Sequence, residues 1–441
     1  MRMVIQALSV ISLLVSTGCI FSSVSSNNGG ATGQTLQPVS AGMLTSGLPR
    51  ESNPAVAPTD LAELVSGNSD FAFDMYGLLK DEPGNVVFSP YSVSIALAMT
   101  YAGARCATKS AMAGALHFAL NDTNLHPAFN RLDRDLESRG EGAAGREGEG
   151  FTLSIANALW GQSGYPFHRD YIDLLGVNYG AGLSLLDFLR VPDSCRIVIN
   201  DWVTQETNNK IQDLIPPGAI DPLTVLVLTN AIYFDAMWQD TFPSQATRGA
   251  DFFRTPDDTV RVPFMNRTSH SVAYVQGTGW QAIELPYDGG DMAMVVLLPD
   301  QGSFEAVESR LSREFFKTLT ASLDPSHVAI ALPKFEFTTS SISLKEPLAS
   351  LGMGIAFTGA ADFTGIANDE LFISDVIHKA FIAVDEKGTT AAAATAVMVS
   401  RASIEPQPLR FTANRPFLFF IRDVATNTIL FAGRVVDPGE S

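Results

Sequence analysis

The side chains that most often do chemistry are present in this 441-residue chain, but their spacing assembles no catalytic device. His117, His126, His168, His270, His327 and His378 are scattered, without metal-ligand spacing. There is no Gly-x-Ser-x-Gly elbow, no His-Glu-x-x-His and no Walker loop. Ser, His and Asp are all available, as in most long chains, so a triad is unsupported by pattern. Gly140 to Gly145 spells a formal GxGxxG, but a helix-like stretch precedes it and a strand-like one follows, so it reads as a solvated loop. Cys106 and Cys195 make no Cys-x-x-Cys and read as idle thiols rather than a bridge.

The informative residues lie from Val384 to Phe420. Val384-Asp385-Glu386-Lys387-Gly388-Thr389-Thr390 leads into Ala391 to Ser400, a run without charge, Gly or Pro. Small and β-branched residues of this kind suit a strand, even one buried on both faces. Yet Ser403 to Pro408 reads as exposed loop. A loop with the composition of a buried strand is a conflict between levels, and such conflicts often mark function.

The chain resembles the serpins, serine protease inhibitors that act as suicide substrates. Glu386-Lys387-Gly388-Thr389 is similar to the hinge of the serpin reactive-centre loop, and Phe411 to Phe420 to the strand after it. Asn85-Val86-Val87-Phe88-Ser89-Pro90 with Ser92 resembles the entry beneath the central sheet. Ile199 to Val203 with Lys210, Ile211 and Leu214 resembles the helix across that sheet. Thr229 to Phe234 with Trp238 resembles a central strand, and Leu332 to Phe335 and Ile377 to Ala380 also fit. These matches keep family order from about Leu61 to Val436.

The resemblance implies an α+β fold in one large domain, residues 61–441. It implies about nine helices, a central five-stranded sheet and two further sheets, metastable, with an exposed reactive-centre loop at about 386–410. A target serine protease cuts the loop, becomes an acyl-enzyme, and is carried across the molecule as the loop inserts into the sheet. The implied hinge is Glu386, Gly388, Thr389, Ala391 and Ala393. Glu386, Lys334 and Trp238 mark where the sheet first opens. Asn85, Ser89, Ser92, Asn230 and His378 form a polar latch under it, costly to leave half-satisfied. Counting Glu386 as one, the scissile bond follows the seventeenth residue, giving Ala402–Ser403; the alternative is Arg401–Ala402. Ala402 favours elastase-like or subtilisin-like targets, and Arg401 would favour trypsin-like ones. The resemblance implies no cofactor or metal, a monomer, and no catalysis. The alternatives are a non-inhibitory serpin-fold binding or envelope protein, and a cryptic hydrolase with no motif in its favour.

These residues need elements to hold them. Asp70 to Leu79 reads as an amphipathic helix with Phe71, Met75 and Leu78 on one face, and Ser92 to Tyr101 as a buried helix. Asn130 to Glu137 reads as a helix end and Leu344 to Leu351 as a short helix. Val225 to Phe234, Met292 to Leu298 and Val328 to Leu332 read as strands. In Thr389 to Ser400, alternation puts Thr389, Ala391, Ala393, Thr395, Val397 and Val399 on one face.

Hydrophobic residues make up 46% of the chain, enough for a large core; length alone suggests two or three domains, which the resemblance overrides. The net charge of −18 disfavours nucleic acid and anionic membrane surfaces as partners. Val4 to Val15, after Arg2, has the length of a signal-peptide apolar core rather than a span, so residues 1–18 read as a signal peptide. Ser16-Thr17-Gly18-Cys19 resembles a lipoprotein box with Cys19 lipidated, although Ser16 replaces the usual aliphatic residue; the alternative is an ordinary cleaved signal. Residues 19–60, rich in Ser, Asn, Gly, Thr and Pro, read as a flexible tether. The expected protein is exported, with membrane contact only through the lipid.

Overall fold

Helix starts follow local punctuation. Pro58, Pro90 and Pro192 occupy first helical positions, where a missing N–H costs nothing. The Ser89, Asn121 and Ser312 side chains cap helices by accepting from the N–H groups of Ser92, Asn124 and Phe315. The structure, a computed structural model, describes residues 42–139, 152–389 and 407–440. The chain divides into Met1–Pro38, outside the described residues, and one unit, Val39–Ser441.

The α-helices among the described residues are α1 Pro58–Leu79, α2 Pro90–Tyr101, α3 Cys106–Ala115, α4 Asp122–Glu137, α5 Arg169–Tyr179, α6 Pro192–Glu206, α7 Phe304–Glu308, α8 Arg313–Ala321 and α9 Lys345–Leu348. The strands are β1 Gly42–Leu44, β2 Val86–Phe88, β3 Thr152–Gln162, β4 Leu183–Leu186, β5 Leu226–Met237, β6 Arg248–Thr255, β7 Asp258–Gly277, β8 Trp280–Pro286, β9 Met292–Pro299, β10 Asp324–Pro333, β11 Phe335–Thr338, β12 Ile342–Ser343, β13 Val376–Val384, β14 Gly388–Thr389, β15 Leu409–Thr412, β16 Phe417–Asp423 and β17 Ile429–Val435.

One sheet runs β1-β4-β3-β5-β14-β13-β11, with β12 also on β13. Its long strands are β3, β5 and β13; the other five have two to four residues each. The other sheet is nine-stranded, and the 20-residue β7 belongs to it along its whole length, pairing with β6, β8 and β10. A large core fills the space between the sheets. A second core lies under α6, where Cys195, Ile199 and Val203 meet Trp160, Tyr233 and Phe381 of the central sheet.

Two expectations change. Residues 42–60 are not a tether: β1 pairs antiparallel with β4, and the stated boundary at residue 60 falls inside α1. Three residues of strand can exist there because they complete the edge of a sheet already built. In α1 the buried face carries Phe71, Met75 and Leu79, while Leu78 is only half-buried. The Gly140–Gly145 loop lies outside the described residues.

Candidate functional site

The hinge begins as a tight turn. The Asp385 carboxylate accepts from the N–H groups of Lys387 (2.9 Å) and Gly388 (3.3 Å), and the Asp385 N–H donates to Gly388 O (2.9 Å). The turn is fastened to the end of β5: Asp385 O accepts from the Trp238 indole N–H (2.9 Å), Lys387 O from Trp238 N–H (2.6 Å), and Glu386 O from Phe242 N–H (2.7 Å). The Glu386 carboxylate takes Lys334 Nζ on one oxygen and the Thr247 hydroxyl on the other, both at 2.8 Å. Burial opposes its ionisation, but these two hydrogen bonds, a backbone hydrogen bond and the Lys334 charge together outweigh it and hold the carboxyl below its ordinary value. Lys334, Trp238 and Glu386 are therefore brought together by the fold.

Beyond the turn, Gly388 and Thr389 form β14, antiparallel to both neighbours. Thr389 lies opposite Ala236 of β5 and Val384 of β13. A Cβ on Gly388 would stand 1.9 Å from Ala236 O, so this approach of two backbones admits only glycine. The Thr389 hydroxyl is buried and hydrogen-bonded to the Tyr287 hydroxyl at 2.8 Å. Burial keeps the Tyr287 hydroxyl protonated, and its ring stacks on Trp238 with centroids 4.6 Å apart. The hinge is thus already the first piece of a strand in the central sheet. Further down, β5 and β13 pair directly, from Leu228↔Val376 to Ile232↔Ala380.

The polar cluster sits in that directly paired stretch, where His378 is the register partner of Asn230. His378 Nε2 accepts from the Ser89 N–H at 3.2 Å, so Nδ1 carries the proton and donates to Asn230 Oδ1 at 2.5 Å. The Asn230 amide donates to Ser92 Oγ (2.6 Å) and Asn157 Oδ1 (2.7 Å), and the Asn157 amide donates to Ser92 O (3.1 Å). Complete burial lowers the His378 pKa to about 4, so the ring is neutral. The structure brings Ser89, Ser92, Asn230 and His378 together, but not Asn85. Asn85 instead pins the C-terminal segment, donating to Asp437 O (2.7 Å) and accepting from the N–H groups of Val436 and Asp437.

Sequence reasoning missed Thr247, Tyr287, Asp385 and Asn157. Asn157 left a signal, an amide in a strand otherwise apolar near it; Tyr287 and Thr247 left none. Ala391, Ala393, Arg401, Ala402, Ser403 and Cys19 lie outside the described residues. Cys106 and Cys195 are free thiols, the first exposed and the second buried, with burial pushing the Cys195 thiol up to about 11.

The family model for Serpin (serine protease inhibitor) matches residues 66–438. The chain belongs to the serpin family. This serpin is 40% identical over 378 residues to an uncharacterised serpin-like protein of Thermococcus kodakarensis, covering 85% of this chain and 86% of that protein. It is 38% identical over 389 residues to the leukocyte elastase inhibitor of Bos taurus, covering 86% of this chain and 100% of that protein. Its fold is similar to that of tengpin, a thermophilic serpin in the native state: TM-score 0.78, 29% identity, 89% of this chain and 97% of that one. The serpin fold thus expected for the chain is the fold observed.

Proposed function

We propose that this serpin inhibits serine endopeptidases as a suicide substrate. The observation that carries the reading is β14: the hinge is seated between β5 and β13, in register with both, and the uncharged residues after it can extend the same strand. The protease serine oxygen attacks the Ala402 carbonyl carbon, an ester forms, and the Ser403 nitrogen leaves as a protonated amine. Loop residues then separate β5 from β13 and pair with both. Strand pairing and burial of small side chains favour the inserted state. The attached protease is pulled across the molecule, and deacylation fails once its catalytic geometry is distorted.

The partner is an elastase-like or subtilisin-like protease if Ala402 precedes the bond, and a trypsin-like one if Arg401 does. The exported location and the lipid on Cys19 belong to the same proposal, resting on the apolar run Val4 to Val15 and the box before Cys19. The full chain mixed with elastase, subtilisin and trypsin, followed by denaturing gels and mass spectrometry of the released peptide, tests the reading. The expected result is a denaturation-resistant complex with a peptide beginning at Ser403. A peptide beginning at Ala402 moves the specificity to Arg401. Cleavage by all three with no complex would overturn inhibition and favour a binding role.

A further inference from the structure

The connection from β15 to β16 carries a guanidinium with no counter-ion in contact. Arg415 is half-buried; its Nε donates to Pro299 O (2.7 Å) and its Nη1 to Asn414 Oδ1 (3.3 Å). Both acceptors are neutral, and Nη2 meets none among the described residues. Asp300 directly follows Pro299, so its carboxylate stands near Arg415 and favours the charged guanidinium against the effect of burial. Yet the two form no ion pair, and the exposed Asp300 side chain hydrogen-bonds to nothing among the described residues. Arg254, close by, is different: Asp258 (2.8 Å) and Asp437 (2.7 Å) already neutralise it.

Arg415 and Asp300 line one cleft of about 380 Å³. Three stretches far apart in sequence wall it: the end of β6 with Phe253 and Pro256, the turn 300–302, and residues 414–416. Asn414 O accepts from the Phe253 N–H (2.8 Å), which fastens the first wall to the third. The Ser303 N–H donates to Asp300 O (2.9 Å) and closes the turn, where Gly302 takes φ +77°. Phe253, 40% exposed, and Pro256, Phe304 and Pro416 supply flat apolar surface. Apolar walls with a few convergent polar groups, in a cleft of this size, make a small-molecule site.

We propose that this cleft binds a free aromatic α-amino acid. Arg415 takes the carboxylate through Nη2, Asp300 takes the ammonium, and the ring lies against Phe253 and the prolines. A guanidinium directs its N–H groups in the plane that a carboxylate requires. An α-amino acid carries its two charges on one carbon, which matches a cation and an anion that neighbour each other without pairing. An acid lacking the ammonium sets its carboxylate near Asp300 uncompensated, and an amine lacking the carboxylate does the same at Arg415. The pair therefore selects the zwitterion by repulsion as well as by attraction. The cleft shares no residue with the hinge, and the proposal does not rest on the inhibitory reading. A ligand touching all three walls ties β6 to the β15–β16 connection and stabilises the folded chain by mass action.

The test is isothermal titration calorimetry of the full chain with L-phenylalanine, L-tyrosine and L-tryptophan, beside 3-phenylpropionate and 2-phenylethylamine. At least one of the three amino acids is expected to bind saturably at one site and to raise the thermal midpoint. The two singly charged compounds are expected to bind about tenfold more weakly, the scale of one lost charged hydrogen bond. Asp300→Asn alters an exposed side chain and leaves the walls in place; it is expected to weaken the amino acid about fivefold, the upper range for an exposed ion pair. Arg415→Met is expected to abolish binding. Its thermal midpoint without ligand shows whether it folds, and Asp300→Asn decides the matter where it does not. Binding of none of the three amino acids would overturn the proposal. So would 3-phenylpropionate binding as tightly as the amino acid, or an unchanged affinity in Asp300→Asn.

Discussion

His378 shows how one buried side chain couples the central sheet to pH. Its ring is wholly buried, accepts a backbone N–H on Nε2 and donates from Nδ1, so a second proton would set two donors against each other at Ser89. The folded pKa of about 4 lies below the ordinary value of 6.5. The unfolded chain therefore binds more protons between those values, and stability falls as pH drops through that window. The shift corresponds to about 3 kcal/mol from this residue, present in full above pH 6.5 and gone near pH 4. Urea unfolding at pH 7, 5.5 and 4.5 should follow this slope, and His378→Gln should flatten it. An unchanged slope in the variant would mean that the ring does not carry the effect. His126, also lowered to about 4 by burial, supplies a separate part of the same trend and should persist in that variant. Ser89, Ser92, Asn230 and His378 were legible only through the resemblance to serpins; their own pattern did not single them out, and Asn157, a polar residue in an apolar strand, was missed. Asn85 misled because closeness to Ser89 along the chain says nothing of direction, and its side chain turns to the C-terminal segment.

At the scale of elements, the strand that sequence could not reveal is β1. Gly42-Met43-Leu44 has no periodicity of its own and sits in a tract of Ser, Gly, Thr and Pro. It becomes a strand only because β4 offers an open edge and because the following residues are anchored. Ser46 donates to Asp173 of α5 (2.7 Å), Glu51 N–H to Val177 O (2.9 Å), and Arg50 to Asn130, Asp133 and Glu137 of α4. Burial raises the Asp133 carboxyl pKa, while the Arg50 guanidinium pulls the other way. Arg50→Ala leaves Asp133 with the Tyr91 hydroxyl and no cation, and should cost about 2–3 kcal/mol of unfolding free energy. Hydrogen exchange should then report loss of protection along β4, whose outer edge β1 covers. Protection at β4 equal to that of the unaltered chain would show that β1 holds without its anchor. β14 was half legible: alternation fixed which face Thr389 takes, but how far the hinge already enters the sheet depends on the separation of β5 from β13.

For the whole molecule, the decisive feature is a sheet closed at one end and parted at the other. From Leu228 to Ile232, β5 holds β13 directly; at Ala236 the two are spread around Thr389. Extending β14 means separating the paired stretch, with the His378–Asn230 hydrogen bond inside it, and replacing it by two new strand interfaces. In the proposed mechanism the side chain at 389 would control entry, because its site is closed by Tyr287 and admits nothing that must stay hydrated. In Thr389→Arg the guanidinium would have to be buried against that hydroxyl without a carboxylate on it, so the hinge strand leaves the sheet and the loop behind it cannot follow. Thr389 is already buried in the uncleaved chain, so the variant loses the Thr389–Tyr287 hydrogen bond and the β14 pairings there, and its unfolding midpoint before cleavage should fall somewhat. After cleavage the unaltered chain should gain stability, and the variant should not. A protease that is trapped by the first should cut the second and go free. Thermal unfolding of cleaved and uncleaved forms, beside denaturing gels of the same mixtures, reads both effects. Trapping retained by Thr389→Arg would overturn insertion through β14 as the source of inhibition.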